Sequence, residues 1–430
     1  MQVTIDGRIA LQGEVLVPGD KSISHRAAIF AALAEGESEI RGFLTGEDCL
    51  STLACLHQLG VAITRDKTTV RIQGVGLTGL REAENVLDCG NSGTTARLLL
   101  GVLAGQPFFS VLTGDASLRK RPMARVTEPL IAMGANIMGR AGGTLLPLAI
   151  VGGSLQPSHY HTPVASAQLK SAILLAGLYA EGETMVVEPE QSRDHTERML
   201  AAFGADVSVA ATAVTLHGQP RLQGRLVQVP GDISSAAFFL VAASIVPASD
   251  VLVRNVGINP SRTGILEVLQ AMGATLTLYN EREESGEPVA DIRVQSAQLT
   301  GVELSGALIP RLIDEIPIIV VAALFANGQT IIRDAQELRV KETDRIAAVV
   351  EEFAKLGASI IATEDGFVIE GGQQVHGGVV NSRGDHRIAM SLSIAALRAT
   401  SPVTVEDAHC VAISYPRFWE TIKTLQSDDK

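Results

Sequence analysis

Cysteine is scarce: the 430 residues hold only four, Cys49, Cys55, Cys89 and Cys410, at no metal-ligand spacing. A disulfide framework and a thiolate metal site are therefore not expected, and the pattern suits reduced, buried thiols in a cytosolic protein. Long hydrophobic runs are missing too. The longest, around residues 318–326, is flanked by Asp314 and Glu315 and falls short of the ~20 residues a bilayer requires. Residues 1–6 show neither a basic region nor an apolar stretch, so no signal peptide is expected and the location is read as cytoplasmic. Positive charge is in deficit, with 35 Lys and Arg against 47 Asp and Glu, a formal charge of −12. A broad basic surface for nucleic acid is excluded, though a local basic pocket is not. The Gly-rich string Asp88-Cys-Gly-Asn-Ser-Gly-Thr-Thr95 lacks the Gly-Lys-Ser/Thr ending of a nucleotide P-loop, and no GxGxxG follows a strand. A nucleophile elbow, a His-rich cluster and a Cys–His signature are also lacking. No metal and no cofactor are expected.

What is present is apolar bulk and repetition. Hydrophobic residues make up 46% and charged residues 19%, enough for sizeable cores in two or three domains. A hydrophobe-Gly pair recurs at Leu59-Gly60, Met133-Gly134, Phe203-Gly204, Met272-Gly273 and Leu356-Gly357. A sixth unit begins near Asp385 and the chain ends before its closing Gly. Inside the units, Leu33-Ala-Glu-Gly-Glu-Ser-Glu-Ile40, Tyr179-Ala-Glu-Gly-Glu-Thr-Met-Val186 and Phe325-Ala-Asn-Gly-Gln-Thr-Ile-Ile332 each read as a helix end with Gly at C′, then a strand. Val17-Pro-Gly-Asp-Lys-Ser22 returns as Val229-Pro-Gly-Asp-Ile-Ser234, which predicts two halves of three units with chain crossings near Pro18 and Pro230. Residues 280–288 read as a solvated loop.

The first helix of each unit opens on a capping candidate: Ser24, Ser92 or Thr94, Ser166, Asp232 or Ser234, Asp314, and Asp385. Basic residues gather at these starts and in equivalent loops: Lys21, His25 and Arg26; Arg97; Arg119, Lys120, Arg121 and Arg125; Arg193 and His195; Arg339, Lys341 and Arg345; His386 and Arg387. Each alone could line a solvated loop. Their recurrence predicts a focused positive site for small anions carrying phosphate and carboxylate. Asp314 could be a plain helix cap and Glu342 a solvated ion pair. Set among cations, they are also the material of general acid–base chemistry.

Across nearly the whole chain, Pro18-Gly-Asp-Lys-Ser-Ile-Ser-His-Arg26, Gly90-Asn-Ser-Gly-Thr94, Lys120-Arg-Pro-Met123, Ser166-Ala-Gln168, Leu338-Arg-Val-Lys-Glu-Thr-Asp-Arg345 and Asp385-His-Arg387 resemble the 3-phosphoshikimate 1-carboxyvinyltransferase (EPSP synthase) family. The resemblance implies an α/β, two-domain enolpyruvyl transferase fold of six βαβαββ repeats (an inverse α/β barrel) with the active site in the interdomain cleft. Residues 1–18 with 230–430 would form one domain and 19–229 the other. The implied reaction moves the enolpyruvyl group of phosphoenolpyruvate to the 5-hydroxyl of shikimate 3-phosphate. Asp314 would be the base, with Lys21 and Glu342 managing the proton at the phosphoenolpyruvate carbon. Shikimate 3-phosphate would be held by Lys21, Ser22, Arg26, Ser166, Gln168, Arg193, Asp314 and Lys341. Phosphoenolpyruvate would be held by Lys21, Asn91, Gly93, Arg121, Gln168, Arg345, His386 and Arg387, in a pocket that glyphosate shares. The implied partners are these two anions, with no nucleic acid and no membrane. A monomer is expected, since no apolar stripe demands a partner. Two positions depart from the family pattern: Ala167 replaces a second Ser, and a Lys near Ile413 is missing. The related transferase acting on UDP-N-acetylglucosamine fits less well, because Ser22 follows Lys21 and the loop at 114–121 has no Cys.

Overall fold

The computed structural model describes residues 1–7 and 9–426. The chain divides into two compact units. An inserted unit comprises Gly19–Val229 with Glu284–Gly286. A terminal unit comprises Met1–Pro18, Pro230–Glu283 and Glu287–Lys430.

In the inserted unit, one copy of the repeat runs strand Leu87–Asp88, helix Gly93–Ala104, strand Phe109–Thr113, helix Ala124–Ala132, and strands Asn136–Gly139 and Leu145–Val151. The first two strands pair in parallel and the last two add antiparallel. Alternation explains how the sheet seats: Leu146, Leu148 and Ile150 point into the core while their neighbours face outward. His159–His161 through Ala213–His217 repeats the pattern. The remaining copy takes its opening strand from Leu226–Gln228, parallel to Glu35–Arg41.

In the terminal unit, Gln12–Leu16 supplies the corresponding opening strand, parallel to Asp250–Gly257. The strand preceding the first helix in sequence therefore serves a sheet more than 200 residues later. The last copy closes differently. Its sheet has three strands among the described residues, and the N-terminal Val3–Ile5 pairs antiparallel with Val403–Glu406. The sixth unit, whose sequence ends before a closing Gly, is thus completed by the other end of the chain.

The first helix of each copy is buried nearly all round. Every residue of Ile233–Ile245, Gly93–Ala104 and His386–Ala396 is buried. Such helices pack on one another, so small residues are needed at the crossings. A Cβ on Gly101 would come within 2.3 Å of the Ala172 carbonyl oxygen on the helix Ala167–Gly177. The second helices are amphipathic instead: Arg345–Lys355 buries Ile346, Val349 and Phe353 at 3-4 spacing and exposes Lys355. Their ends explain the hydrophobe-Gly landmark. The hydrophobe is the C-cap residue, and Gly60, Gly134, Gly204, Gly273 and Gly357 all have φ between 81° and 109°, where a side chain is strained. By contrast Gly36 and Gly328 lie one residue beyond C′, because the helices end at Leu33 and Phe325 with Ala34 and Ala326 as C-caps.

Candidate active site

The candidate site residues lie at the starts of the buried helices, as a separate cluster in each unit. In the inserted unit, helix Lys21–Leu33 is capped by Asp20, whose carboxylate accepts from Ile23 N at 2.8 Å. Ser24, expected as the cap, lies inside the helix and accepts from Leu44 N instead. Capping one residue before Lys21 places Lys21 and Ser22 in the first turn, where backbone N–H groups lack helical partners and favour anions. Lys21 Nζ lies 2.9 Å from Asp48 Oδ2. Arg26, the expected contact to shikimate 3-phosphate, is buried and already donates to Thr196 Oγ1 at 2.6 Å, Ser171 Oγ at 2.7 Å and the Ser22 carbonyl at 3.1 Å. Arg193 Nη1 reaches Ser22 Oγ at 3.5 Å.

In the same unit, Ser92 caps Gly93–Ala104 and leaves Gly93 as its first residue. A Cβ there would sit 2.9 Å from Arg97 Nη1 and 3.5 Å from Arg121 Nη1, so two guanidinium groups flank a bare backbone. Arg97 Nη1 donates to Gln168 Oε1 at 2.5 Å, and Gln168 Nε2 donates to Thr94 Oγ1 at 3.0 Å. Arg121 Nη2 donates to Asn91 Oδ1 at 2.6 Å, and Asn91 Nδ2 to Asp115 Oδ2 at 2.6 Å. Asn91 thus orients Arg121. Ser166 caps Ala167–Gly177, with Ala167 as the first helical residue. Together Gly93, Arg97, Arg121 and Gln168 form a cradle of cations and amide groups around a helix start, the chemistry of a phosphate or carboxylate site.

Within the helix Lys21–Leu33, His25 is fully buried with Nδ1 2.7 Å from Thr52 Oγ1. Burial, with Lys21 and Arg26 adding to it, pushes His25 well below its ordinary value of 6.5. The sign follows directly. The unfolded chain takes up a proton near pH 6.5 that the native ring refuses, so stability is complete above that pH and declines as pH falls. Wild type should lose up to ~1.4 kcal/mol per pH unit from this group below its unfolded pKa. Denaturant melts of His25→Gln should show a correspondingly shallower decline between pH 6.5 and 5; parallel curves would mean the ring is protonated in the native state.

In the terminal unit, Arg345 is the centre. It is 1% exposed. Its Nε lies 2.8 Å from Asp385 Oδ2, Nη1 3.3 Å from Asp314 Oδ1 and Nη2 2.6 Å from Glu342 Oε2. Burial works against its charge, but Asp385, Glu342 and Asp314 outweigh it and raise its pKa. Lys341 Nζ also reaches Asp314 Oδ1, at 3.4 Å. Asp314 is not the helix cap. Helix Ile316–Phe325 starts one residue later, after Glu315, and no side chain caps it. Asp314 instead projects between two cations, while its carbonyl accepts from Arg387 Nη1 at 3.1 Å. Asp385 does two tasks: it caps His386–Ala396 through Arg387 N and holds Arg345. His386 is buried in that first turn.

Within the terminal unit, Asp314, Lys341, Glu342, Arg345 and Arg387 come together, and within the inserted unit Gly93, Asn91, Arg121 and Gln168 do. Lys21 pairs with Asp48, a residue the sequence reading did not single out. It also missed the carboxylate partnership of Asp385 with Arg345, and the buried ions Lys170, Glu188 and Glu197. These pairs join elements separated by 27 to 40 residues or meet across two helices and a loop, so no local spacing announces them. Among the described residues, no group of His, Cys, Asp and Glu is placed to hold a metal, and no helix is long and apolar enough to cross a membrane.

The profile of the EPSP synthase (3-phosphoshikimate 1-carboxyvinyltransferase) family matches residues 5–422. The chain is 59% identical over 417 residues to a 3-phosphoshikimate 1-carboxyvinyltransferase of Syntrophotalea carbinolica, covering 97% of each. It is 56% identical to one of Desulforamulus reducens, covering 99% of each. A solved structure of EPSP synthase from Acinetobacter baumannii is similar with a TM-score of 0.88 at 48% identity, covering 99% of this chain and 98% of that one. With its repeats, its charged helix starts and these relatives in agreement, the chain belongs to the EPSP synthase family.

Proposed function

We propose that the protein transfers the enolpyruvyl group of phosphoenolpyruvate to the 5-hydroxyl of shikimate 3-phosphate and releases phosphate. The observation carrying this reading is Asp314, a carboxylate outside any capping role, set between Lys341 and Arg345. In the first step Asp314 accepts the hydroxyl proton as the oxygen bonds to C2 of phosphoenolpyruvate, and C3 takes a proton to become a methyl group. In the second step C3 gives up one of its three methyl hydrogens as a proton, the C2–C3 double bond reforms and the C2–O bond to phosphate breaks. Lys21 and Glu342 are the groups assigned to the C3 proton. Arg121, Gln168, Arg345, Arg387 and the Gly93 backbone bind phosphoenolpyruvate, aided by Asn91 and His386. Ser22, Arg26, Ser166, Arg193 and Lys341 bind shikimate 3-phosphate. Fixed cations are suited to such a reaction because both substrates and the departing phosphate are anionic.

The test is phosphate release from phosphoenolpyruvate. It should require shikimate 3-phosphate and should not respond to UDP-N-acetylglucosamine. Release driven by the nucleotide sugar, or by neither acceptor, would overturn the reading.

Gly93 gives a second expected outcome. Ala at this position would place a methyl 2.9 Å from Arg97 Nη1, forcing that guanidinium away from Gln168. Glyphosate should inhibit the wild type in competition with phosphoenolpyruvate. Gly93→Ala should weaken glyphosate more than phosphoenolpyruvate, because the longer molecule meets the methyl first. Inhibition curves at several phosphoenolpyruvate concentrations decide, and equal losses for both ligands would refute the steric argument.

A further inference from the structure

Behind the phosphate-binding helix start lies a buried ionic triad. Lys170, Glu188 and Glu197 are 1%, 3% and 4% exposed. Lys170 Nζ is 2.8 Å from Glu188 Oε2 and 2.7 Å from Glu197 Oε1. Burial opposes the Lys170 charge, but the two carboxylates outweigh it and raise its pKa. Burial likewise pushes Glu197 up, with Lys170 pulling the other way. Two carboxylates on one ammonium is a poor way to stabilise a fold, since apolar residues of similar size commonly do as well or better. The bonds that Glu188 makes beyond the triad suggest another purpose.

Glu188 Oε1 accepts from Ser166 N at 3.0 Å, while Oε2 accepts from Ser192 Oγ at 2.8 Å and Ser192 N at 3.3 Å. One carboxylate therefore ties together two loops. The first carries Ser166 immediately before Ala167 and Gln168; the second carries Ser192 immediately before Arg193. The Ser166 hydroxyl is only loosely committed to its own helix, capping Leu169 N at 3.4 Å, so its position is set by the backbone bond to Glu188. Lys170, in the first turn of the same helix, fixes where Glu188 sits. The neighbours of the triad extend the hold: Ser171 and Thr196 bond each other at 2.6 Å and both accept from Arg26.

We propose that Lys170 and Glu188 are positioning residues, a buried strut that sets Ser166 and Arg193 at the spacing needed to grip the phosphate of shikimate 3-phosphate. The inference rests on the functional reading above and deepens it by naming what shapes the phosphate pocket. Neither residue touches the substrate; Glu188 acts through two backbone segments. With the strut lost, discrimination for the phosphate group falls while the fold and the phosphoenolpyruvate pocket persist.

The experiment compares shikimate 3-phosphate with unphosphorylated shikimate by titration calorimetry, alongside steady-state kinetics and thermal unfolding. Glu188→Gln turns an amide N–H₂ either towards the Lys170 ammonium and Ser192 or towards Ser166 N, and either choice breaks the strut. The triple variant Lys170→Met/Glu188→Gln/Glu197→Gln removes every charge together, so none is left buried and unpaired. In both, the preference for shikimate 3-phosphate over shikimate should drop by roughly tenfold or more, the scale of one charge-assisted hydrogen bond. KM for phosphoenolpyruvate should change by less than about threefold, under 0.7 kcal/mol. Lys170→Arg, which keeps the charge, should recover most of the preference. A folded triple variant with wild-type preference would overturn the proposal, as would equal losses for shikimate and its phosphate. If wild type itself shows no preference for the phosphorylated compound, the functional reading fails first and the strut falls with it.

Discussion

Asp314→Ala should cut turnover by roughly 10²–10⁴-fold, the range for loss of a general base, while KM for either substrate moves only a few-fold. The asymmetry follows from geometry. Asp314 caps no helix, so its removal leaves the start of Ile316–Phe325 unchanged, and its carbonyl, which Arg387 holds, survives the substitution. Arg345 would keep Glu342 and Asp385 as partners. The fold should therefore persist and the defect appear in the chemical step. Pre-steady-state phosphate release separates chemistry from product departure. A folded Asp314→Ala enzyme with near-normal turnover would return this residue to a role in substrate electrostatics alone.

Arg345→Met should have the largest effect on stability. The substitution withdraws the shared cation from three carboxylates, two of them mostly buried and Asp385 wholly so. Breaking a buried pair costs about 3–5 kcal/mol, because the remaining charge stays unsolvated and unpaired. Asp385 also caps His386–Ala396, and losing its alignment would loosen the first turn that carries His386 and Arg387. Arg345→Lys should recover only part of the loss, since one ammonium cannot fork to three carboxylates as a guanidinium does. Guanidinium melts of the three proteins at pH 7 measure the loss and the partial recovery. An Arg345→Met protein as stable as wild type would show that the buried network contributes nothing to stability.

Much of this arrangement was legible in the sequence because it is local and repeated. The hydrophobe-Gly pairs mark places where the backbone must turn left-handed after a helix, and the structure finds those glycines at positive φ. Basic residues near helix starts are visible as strings, so the Gly93 and Arg345 neighbourhoods could be named in advance. Helix caps were harder. Asp20 rather than Ser24 begins the first helix, because several polar residues in a row can each accept the first N–H and only packing chooses among them. Long-range closure was not legible. Nothing in Val3–Ile5 says that it pairs with Val403–Glu406, and Lys170 looks like any helical lysine until Glu188 and Glu197 are seen around it. Asp48 stayed hidden for the same reason: its meaning lies in Lys21, one turn of a different helix.

The account stands on addition of the hydroxyl to C2 with transient protonation of C3, and running the reaction in deuterium oxide tests that most directly. Protonation at C3 makes a methyl group in which one solvent hydrogen joins the two originally present. Its collapse must therefore leave deuterium in the vinyl group of the product, and in phosphoenolpyruvate recovered before completion. Wild type should give both by mass spectrometry, and Asp314→Ala should slow exchange together with turnover. Product formed at the normal rate with no deuterium at C3 would contradict the account, because transfer would then proceed without the acid–base cycle assigned to Asp314, Lys21 and Glu342.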